Sequence, residues 1–221
     1  MTYLLVIFSE LFILFFLSKQ LTRSISQFLY VLKFNQTWCM MLIAILFLPG
    51  TLIHELAHWI MAKILLVPTG AISVWPKLEG STIRMGSVGV AKVDRLRSLL
   101  IGVAPLIVGL IILFLLFALF LPNVHSFNYW MIGLFIYILF VITNSMFSSK
   151  KDLEGAGVFI ILLIVVLSSL YLFDKQLNSQ VQALLILVPI TSLLVAVQYV
   201  AIPIALDICI ILVLRLLIRI F

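Results

Sequence analysis

Residues 52–66 read Leu-Ile-His-Glu-Leu-Ala-His-Trp-Ile-Met-Ala-Lys-Ile-Leu-Leu, LIHELAHWIMAKILL. Two histidines and a glutamate fall within five positions, inside an apolar tract running from 38 to 67. Ionisable groups are expensive in hydrocarbon and, where they occur there, usually mark a functional site. His54-Glu55-Leu56-Ala57-His58 fits H-E-x-x-H. On a helix, residues i and i+4 are about 40° apart in azimuth and about 6 Å apart along the axis. Both imidazoles then lie on one face and can share a tetrahedral zinc, one ion per chain. Glu55, next to the first ligand, reaches a zinc-bound water as general base, and zinc lowers that water's pKa to about 7. The bland alternative is a set of unrelated polar residues facing a bundle interior. The cost of His and Glu at this depth argues against it.

Composition sets the class around this motif. Of the 221 residues, 65% are hydrophobic and 10% charged, with a mean hydropathy of +1.33. Soluble domains carry about 25% charged residues, so an all-α polytopic membrane protein is expected. The net charge of +6 comes mostly from loop Lys and Arg, which read as topology signals. No basic stripe with interleaved aromatics supports nucleic-acid binding. Cys39 and Cys209 lie in apolar tracts without a CxxC pattern and read as core residues. The apolar N-terminal run lacks a basic n-region and a small-residue cleavage site, which favours a retained span.

Apolar segments occupy about 2–17, 38–67, 98–121, 128–148, 156–173 and 181–202, with a seventh at 204–221 after Pro203. Six or seven transmembrane helices are therefore expected, the last piece either spanning or lying in the interface. The linker 68–97 holds Lys77, Arg84, Lys92, Arg95 and Arg97, and 149–155 holds Lys150 and Lys151, whereas the loop at 122–128 has no Lys or Arg. The positive-inside rule places the first two in the cytoplasm and the third outside. Lys19, Arg23 and Lys33 run against this assignment if 2–17 spans fully.

Within the linker, β-friendly runs at Ile72–Trp75, Thr82–Met85 and Val88–Val93 are punctuated by Glu79-Gly80. They predict a β-hairpin or small sheet at about 70–93, on the cytoplasmic membrane surface. Pro49-Gly50 predicts a kink one turn before His54. Lys63 reads as a snorkelling residue near the end of the same helix.

Catalytic zinc usually takes three protein ligands and keeps one open position, so another segment owes a ligand. His125 sits at the wrong depth, in the outside loop. Glu10 and Asp207 are isolated and read as buried or interfacial polar contacts. The stretch TNSMFSSKKDLEG, Thr143–Gly155, closes the fourth apolar segment on the predicted side of the motif and offers Asp152 and Glu154.

At this point the chain resembles the site-2 protease family of intramembrane zinc metalloproteases. The resemblance rests on H-E-x-x-H in a membrane helix, a β-rich linker, a further span, and a span that ends in an Asn- and Asp-containing motif. The family's second motif reads N-x-x-P-x-x-x-x-D-G. Asn144 matches its Asn and Asp152 its Asp, while Phe147 stands at the Pro position and Leu153 at the Gly position. Gly102–Leu106, GVAPL, is similar to a Gly-Pro element that many members carry. The resemblance covers 38–155, a three-span core including the linker 68–97. Residues 1–37 and 156–221 would be accessory helices of the same single membrane domain. It implies zinc ligation by His54, His58 and Asp152, and Glu55 as general base. It implies Asn144 holding the substrate or stabilising the intermediate, and hydrolysis of a peptide bond in or near a substrate's transmembrane helix.

The expected partners are thus the lipid bilayer and a membrane-protein substrate helix that adds a strand to the β-linker. The protein would be multi-pass, with the active site nearer the cytoplasmic face. His58 lies about nine residues, roughly 14 Å, before that end of its helix, so a polar channel is expected to reach it. Oligomeric state is not set by the sequence. Two alternatives stay beside this reading. One is a CAAX-type membrane zinc protease, whose third ligand is a downstream Glu. The other is a catalytically silent metal-binding protein or transporter, against which the intact Glu55 argues.

Overall fold

A computed structural model describes residues 2–75, 77–79, 82–84, 86–120, 126–146 and 190–220. His125, Asp152, Glu154, the basic loop 149–155, the apolar segment 156–173 and the start of 181–202 lie outside these residues. The described chain is mostly helical: α1 (Thr2–Val31), α2 (Gln36–Ile64), α3 (Arg95–Phe120), α4 (Tyr129–Ser145) and α5 (Ile190–Ile220). Between α2 and α3 come β1 (Thr69–Ser73), β2 (Lys77–Glu79), β3 (Thr82–Arg84) and β4 (Ser87–Val90). Among the described residues three stretches are long and apolar enough to cross a membrane: Gln36–Ile64, Arg95–Phe120 and Val200–Ile220. Tyr129–Ser145 is a shorter apolar helix. This supports a multi-pass membrane protein.

Local chemistry explains where the helices start. Asn35 accepts from the Trp38 N–H at 2.9 Å and caps α2, and Asn128 does the same for Met131 in α4. Asp94 accepts from the Arg97 N–H at 3.2 Å and pairs with the Arg97 guanidinium at 3.4 Å, capping α3. The end of α2 is equally defined. Leu66 turns left-handed at φ 57°, the Leu66 N–H bonds Lys63 O, and the Val67 N–H bonds Ala62 O. These are the paired bonds of a Schellman motif, and its usual apolar contact is present because Ala62 and Val67 pack together with Ile101. The motif stops the helix three residues before the apolar tract ends and turns the chain into β1.

Two expectations about element length need correcting. The first apolar segment was expected to end at 17, but α1 continues to Val31. Leu21 is fully buried, and Ile25 and Leu29 follow at four-residue intervals on the same side. The helix thus keeps one packed face while Lys19 and Arg23 leave by another. The expected division between 181–202 and 204–221 is also absent, since α5 runs unbroken through Pro203. Pro203 is fully buried. Proline is tolerated inside such helices where neighbours and local adjustment satisfy the freed groups. Likewise, Pro49-Gly50 does not end α2.

The linker forms two nested antiparallel pairs, β1 with β4 and β2 with β3, in keeping with the β-hairpin expected at about 70–93. Ile72 faces Val88 across the outer pair and Leu78 faces Ile83 across the inner one. A bond from the Ala91 N–H to Pro68 O closes the base. The outer pair packs on α2.

The helices meet in two apolar clusters. One joins Leu14 of α1, Leu113 and Phe117 of α3, Leu139 and Ile142 of α4, and Val200 of α5. The other joins Leu21 of α1, Ile43 and Phe47 of α2, Val141 of α4 and Ile211 of α5. Lipid is as apolar as these side chains, so close packing and interhelical hydrogen bonds must supply the association. Gly50 is where that packing is tightest. A Cβ there would collide with Ser145 Oγ and stand 2.5 Å from Val141 O. Tyr137 Oη, donating to Leu46 O at 3.0 Å, ties α4 to α2 one turn away. Gly50→Leu is therefore expected to separate α2 from α4 and destabilise the fold by about 1–3 kcal/mol, the usual cost of overpacking. A lowered unfolding midpoint in detergent would register it, and an unchanged midpoint would contradict the contact.

Candidate metal site

The i, i+4 spacing on α2 brings His54 and His58 together, as the sequence predicts. Their Nε2 atoms lie 3.1 Å apart, with the rings nearly perpendicular at 86°. His54 is buried and His58 partly so. Two nitrogens held about 2.0–2.1 Å from one tetrahedral zinc stand about 3.3 Å apart, so the observed separation fits two ligands of one ion. The second ring is also oriented. His58 Nδ1 lies 2.8 Å from Ile101 O in α3. A carbonyl only accepts, so Nδ1 must carry the proton, and neutral His58 keeps its lone pair on Nε2. Metal-ligating histidines commonly donate their other ring N–H in this way.

Glu55 is buried on the neighbouring face of α2. There it meets the start of β4: a Cβ at Gly86 would stand 2.6 Å from Glu55 Oε1 and 2.9 Å from Thr51 Cγ2. Glycine at 86 thus lets the hairpin backbone lie directly on the carboxylate. Gly50, Pro105, Gly109, Ser145 and Met146 line a small cleft beside His54. The site consequently sits where α2, α3 and α4 meet, with the hairpin over Glu55.

Of the remaining sequence candidates, the described residues include Asn144, Glu10 and Asp207. Among the described residues no group of three His, Cys, Asp or Glu side chains forms a metal cage. Asp152, the expected third ligand, and Glu154 lie outside the described residues. Asn144 is described, and its carboxamide is engaged with α5. Nδ2 donates to Phe140 O at 3.0 Å and to Asp207 Oδ1 at 2.9 Å. The two acceptors fix the amide orientation, because the flipped carboxamide would set oxygen against oxygen at both positions. Ser18 Oγ of α1 donates to the backbone oxygen of Asn144 at 2.9 Å. Asn144 Oδ1 and Asp207 Oδ2 have no hydrogen-bond partner among the described residues.

The two hydroxyls beside Asn144 on this turn of α4 are both satisfied. Thr143 bonds Leu139 O and Ser145 bonds Val141 O, each closing on the preceding turn. Asp207 is thus a buried polar contact, as its isolation in the sequence suggests. Its partner was not legible, because residues 144 and 207 share no local pattern. Ile101 and Gly86 were missed for a related reason: both act through the backbone, and their side-chain types advertise nothing.

Comparison of the chain with protein-family models, with curated proteins and with solved structures found no match. Any functional reading therefore rests on the chain's own residues.

Two tests follow from this geometry. His54→Ala and His58→Ala should each weaken binding of cobalt(II) or zinc by more than the 10–100-fold that loss of an outer partner typically costs. Cobalt titration of the detergent-solubilised protein, read by visible absorption, measures this. Retention of a tetrahedral spectrum in both variants would exclude the pair as ligands. Separately, Asp207→Leu leaves an Asn144 N–H unpaired and should destabilise the protein by about 1–3 kcal/mol. Combining it with Asn144→Leu should cost less than the two single changes added together, as measured by a double-mutant cycle.

Proposed function

We propose that this chain is an intramembrane zinc metalloprotease of the site-2 protease type, cleaving a peptide bond in or near a substrate's transmembrane helix. The observation that carries the reading is the convergence of His54 and His58 at Nε2, 3.1 Å apart, with the His58 tautomer held by Ile101 O. Helical spacing alone brings two histidines to one face. It does not also bring both Nε2 atoms to one point and supply an acceptor for the opposite nitrogen of His58.

His54 and His58 would hold the zinc, with Asp152 as third ligand by its match to the family motif. When bound, zinc supplies Lewis acidity and a more acidic water at neutral pH. Glu55 takes a proton from the attacking water and returns it to the leaving amine. Burial shields its carboxylate from bulk water, and the Gly86 backbone lies against Oε1. An extended substrate segment paired to the hairpin would then pass beside the general base. Asn144 would hold the substrate through Oδ1, since both of its N–H groups already bond Phe140 and Asp207. That division favours holding a substrate N–H over donating to a developing oxyanion. The active site would open toward the cytoplasmic face, on the argument from the basic loops.

Glu55→Gln should retain zinc and lower cleavage of a co-expressed membrane substrate by about 10²–10⁴-fold, the usual contribution of a positioned base. Asp152→Ala should lose zinc, whereas Glu154→Ala should keep it. Metal analysis of the purified variants, alongside gel analysis of cleavage products, decides between outcomes. Unchanged cleavage in Glu55→Gln would end the protease reading and leave a silent metal-binding protein. Zinc lost from Glu154→Ala but retained by Asp152→Ala would move the third ligand to a glutamate.

A further inference from the structure

Three prolines lie inside the described helices: Pro49 in α2, Pro105 in α3 and Pro203 in α5. A helix-interior proline removes the N–H that would bond the carbonyl four residues earlier, and its ring crowds that carbonyl. For Pro105 the carbonyl in question is Ile101 O. This is the atom that accepts from His58 Nδ1 at 2.8 Å. Pro105 is buried and lines the same cleft as His54. Val103 and Ala104, between the two positions, are fully buried, so packing holds this turn of α3 in place.

We propose that Pro105 is a positioning residue for the metal site: by leaving Ile101 O without its helical donor, it reserves that oxygen for His58 and sets the His58 tautomer. The effect is chemical as well as steric. An i→i+4 bond from residue 105 would draw Ile101 O along the helix axis and compete with the imidazole. Without it, the oxygen's strongest donor is His58 Nδ1–H, and Nε2 is left unprotonated toward His54. The same proline makes α3 a less stable helix, because an interior proline costs about 3 kcal/mol relative to alanine. Stability and metal affinity should therefore respond in opposite directions when it is replaced. The inference deepens the zinc reading above, but its first readout does not depend on zinc.

The experiment compares wild type, Pro105→Ala and a variant carrying lactic acid at position 105. The lactic acid variant makes an ester, which has no N–H and no ring. In metal-free protein, ¹⁵N NMR of the histidine rings should find His58 in the Nδ1–H form for wild type and for the ester. Pro105→Ala should lose that preference while its unfolding midpoint stays level or rises. Zinc affinity, measured by competition with a chelator, should fall about 10–100-fold in Pro105→Ala, as when other outer partners of a ligand histidine are lost, and stay near wild type in the ester. An unchanged His58 tautomer in Pro105→Ala would overturn the proposal, as would an ester that behaves like the alanine variant. If wild type binds no zinc, the zinc reading fails on its own, and the tautomer comparison still decides the role of Pro105.

Discussion

The constraint on which this structure turns is that a polar group removed from water must find its partner inside the protein. At the depth of α2 and α4 an unpaired donor or acceptor costs several kcal/mol in an apolar environment. Almost every distinctive contact answers that cost. His58 Nδ1 meets Ile101 O, Asn144 meets Asp207 and Phe140, Ser18 meets the Asn144 carbonyl, and Tyr137 meets Leu46 O. These bonds join α1, α2, α3, α4 and α5 at the same places where the apolar clusters pack. Polar satisfaction and helix packing are therefore one problem with one solution, centred on the last turn of α4 and the middle of α2.

Close backbone approach makes that solution available. Gly50 admits Ser145 and Val141 against α2, and Gly86 admits the hairpin against Glu55. Both glycines border the H-E-x-x-H turn, one on the α4 side and one on the hairpin side. The result is a buried carboxylate with hairpin backbone against it, and a buried His54 beside a cleft that Gly50, Gly109 and Ser145 share with Pro105 and Met146. The hairpin over Glu55 comes from the Schellman turn at Leu66, which redirects the chain as soon as α2 has carried its histidines past the core. A helix stop and a site wall are thus consequences of the same short stretch.

Much of this was legible locally. The apolar segments around α2, α3 and α4 and the strand-rich linker follow from hydropathy and turn residues. The pairing of His54 with His58 follows from helical pitch alone. The failures have a common origin. Charged Lys19 and Arg23 hid the continuation of α1, because the buried stripe through Leu21, Ile25 and Leu29 matters more than the charges on the other face. Pro203 suggested a break that neighbouring packing removed. Asn144 was singled out by its place in a motif, but its engagement with Asp207 depends on α5 crossing α4 some sixty residues later.

By itself, the sequence supplied the residue types of the proposed chemistry: an H-E-x-x-H turn in a long apolar helix, with Glu55 beside the first histidine, and the carboxylates of 149–155 as candidates to complete it. Those are properties of residue type and short-range spacing, which a helix converts directly into geometry. Only the tertiary structure decided that Ile101 O holds His58, that Gly86 lies on Glu55, and that Asp207 takes up Asn144. Each depends on a backbone atom or on a partner far along the chain. Such contacts arise when helices pack closely enough that buried polar atoms must pair across them, and no local pattern records which pairs will form.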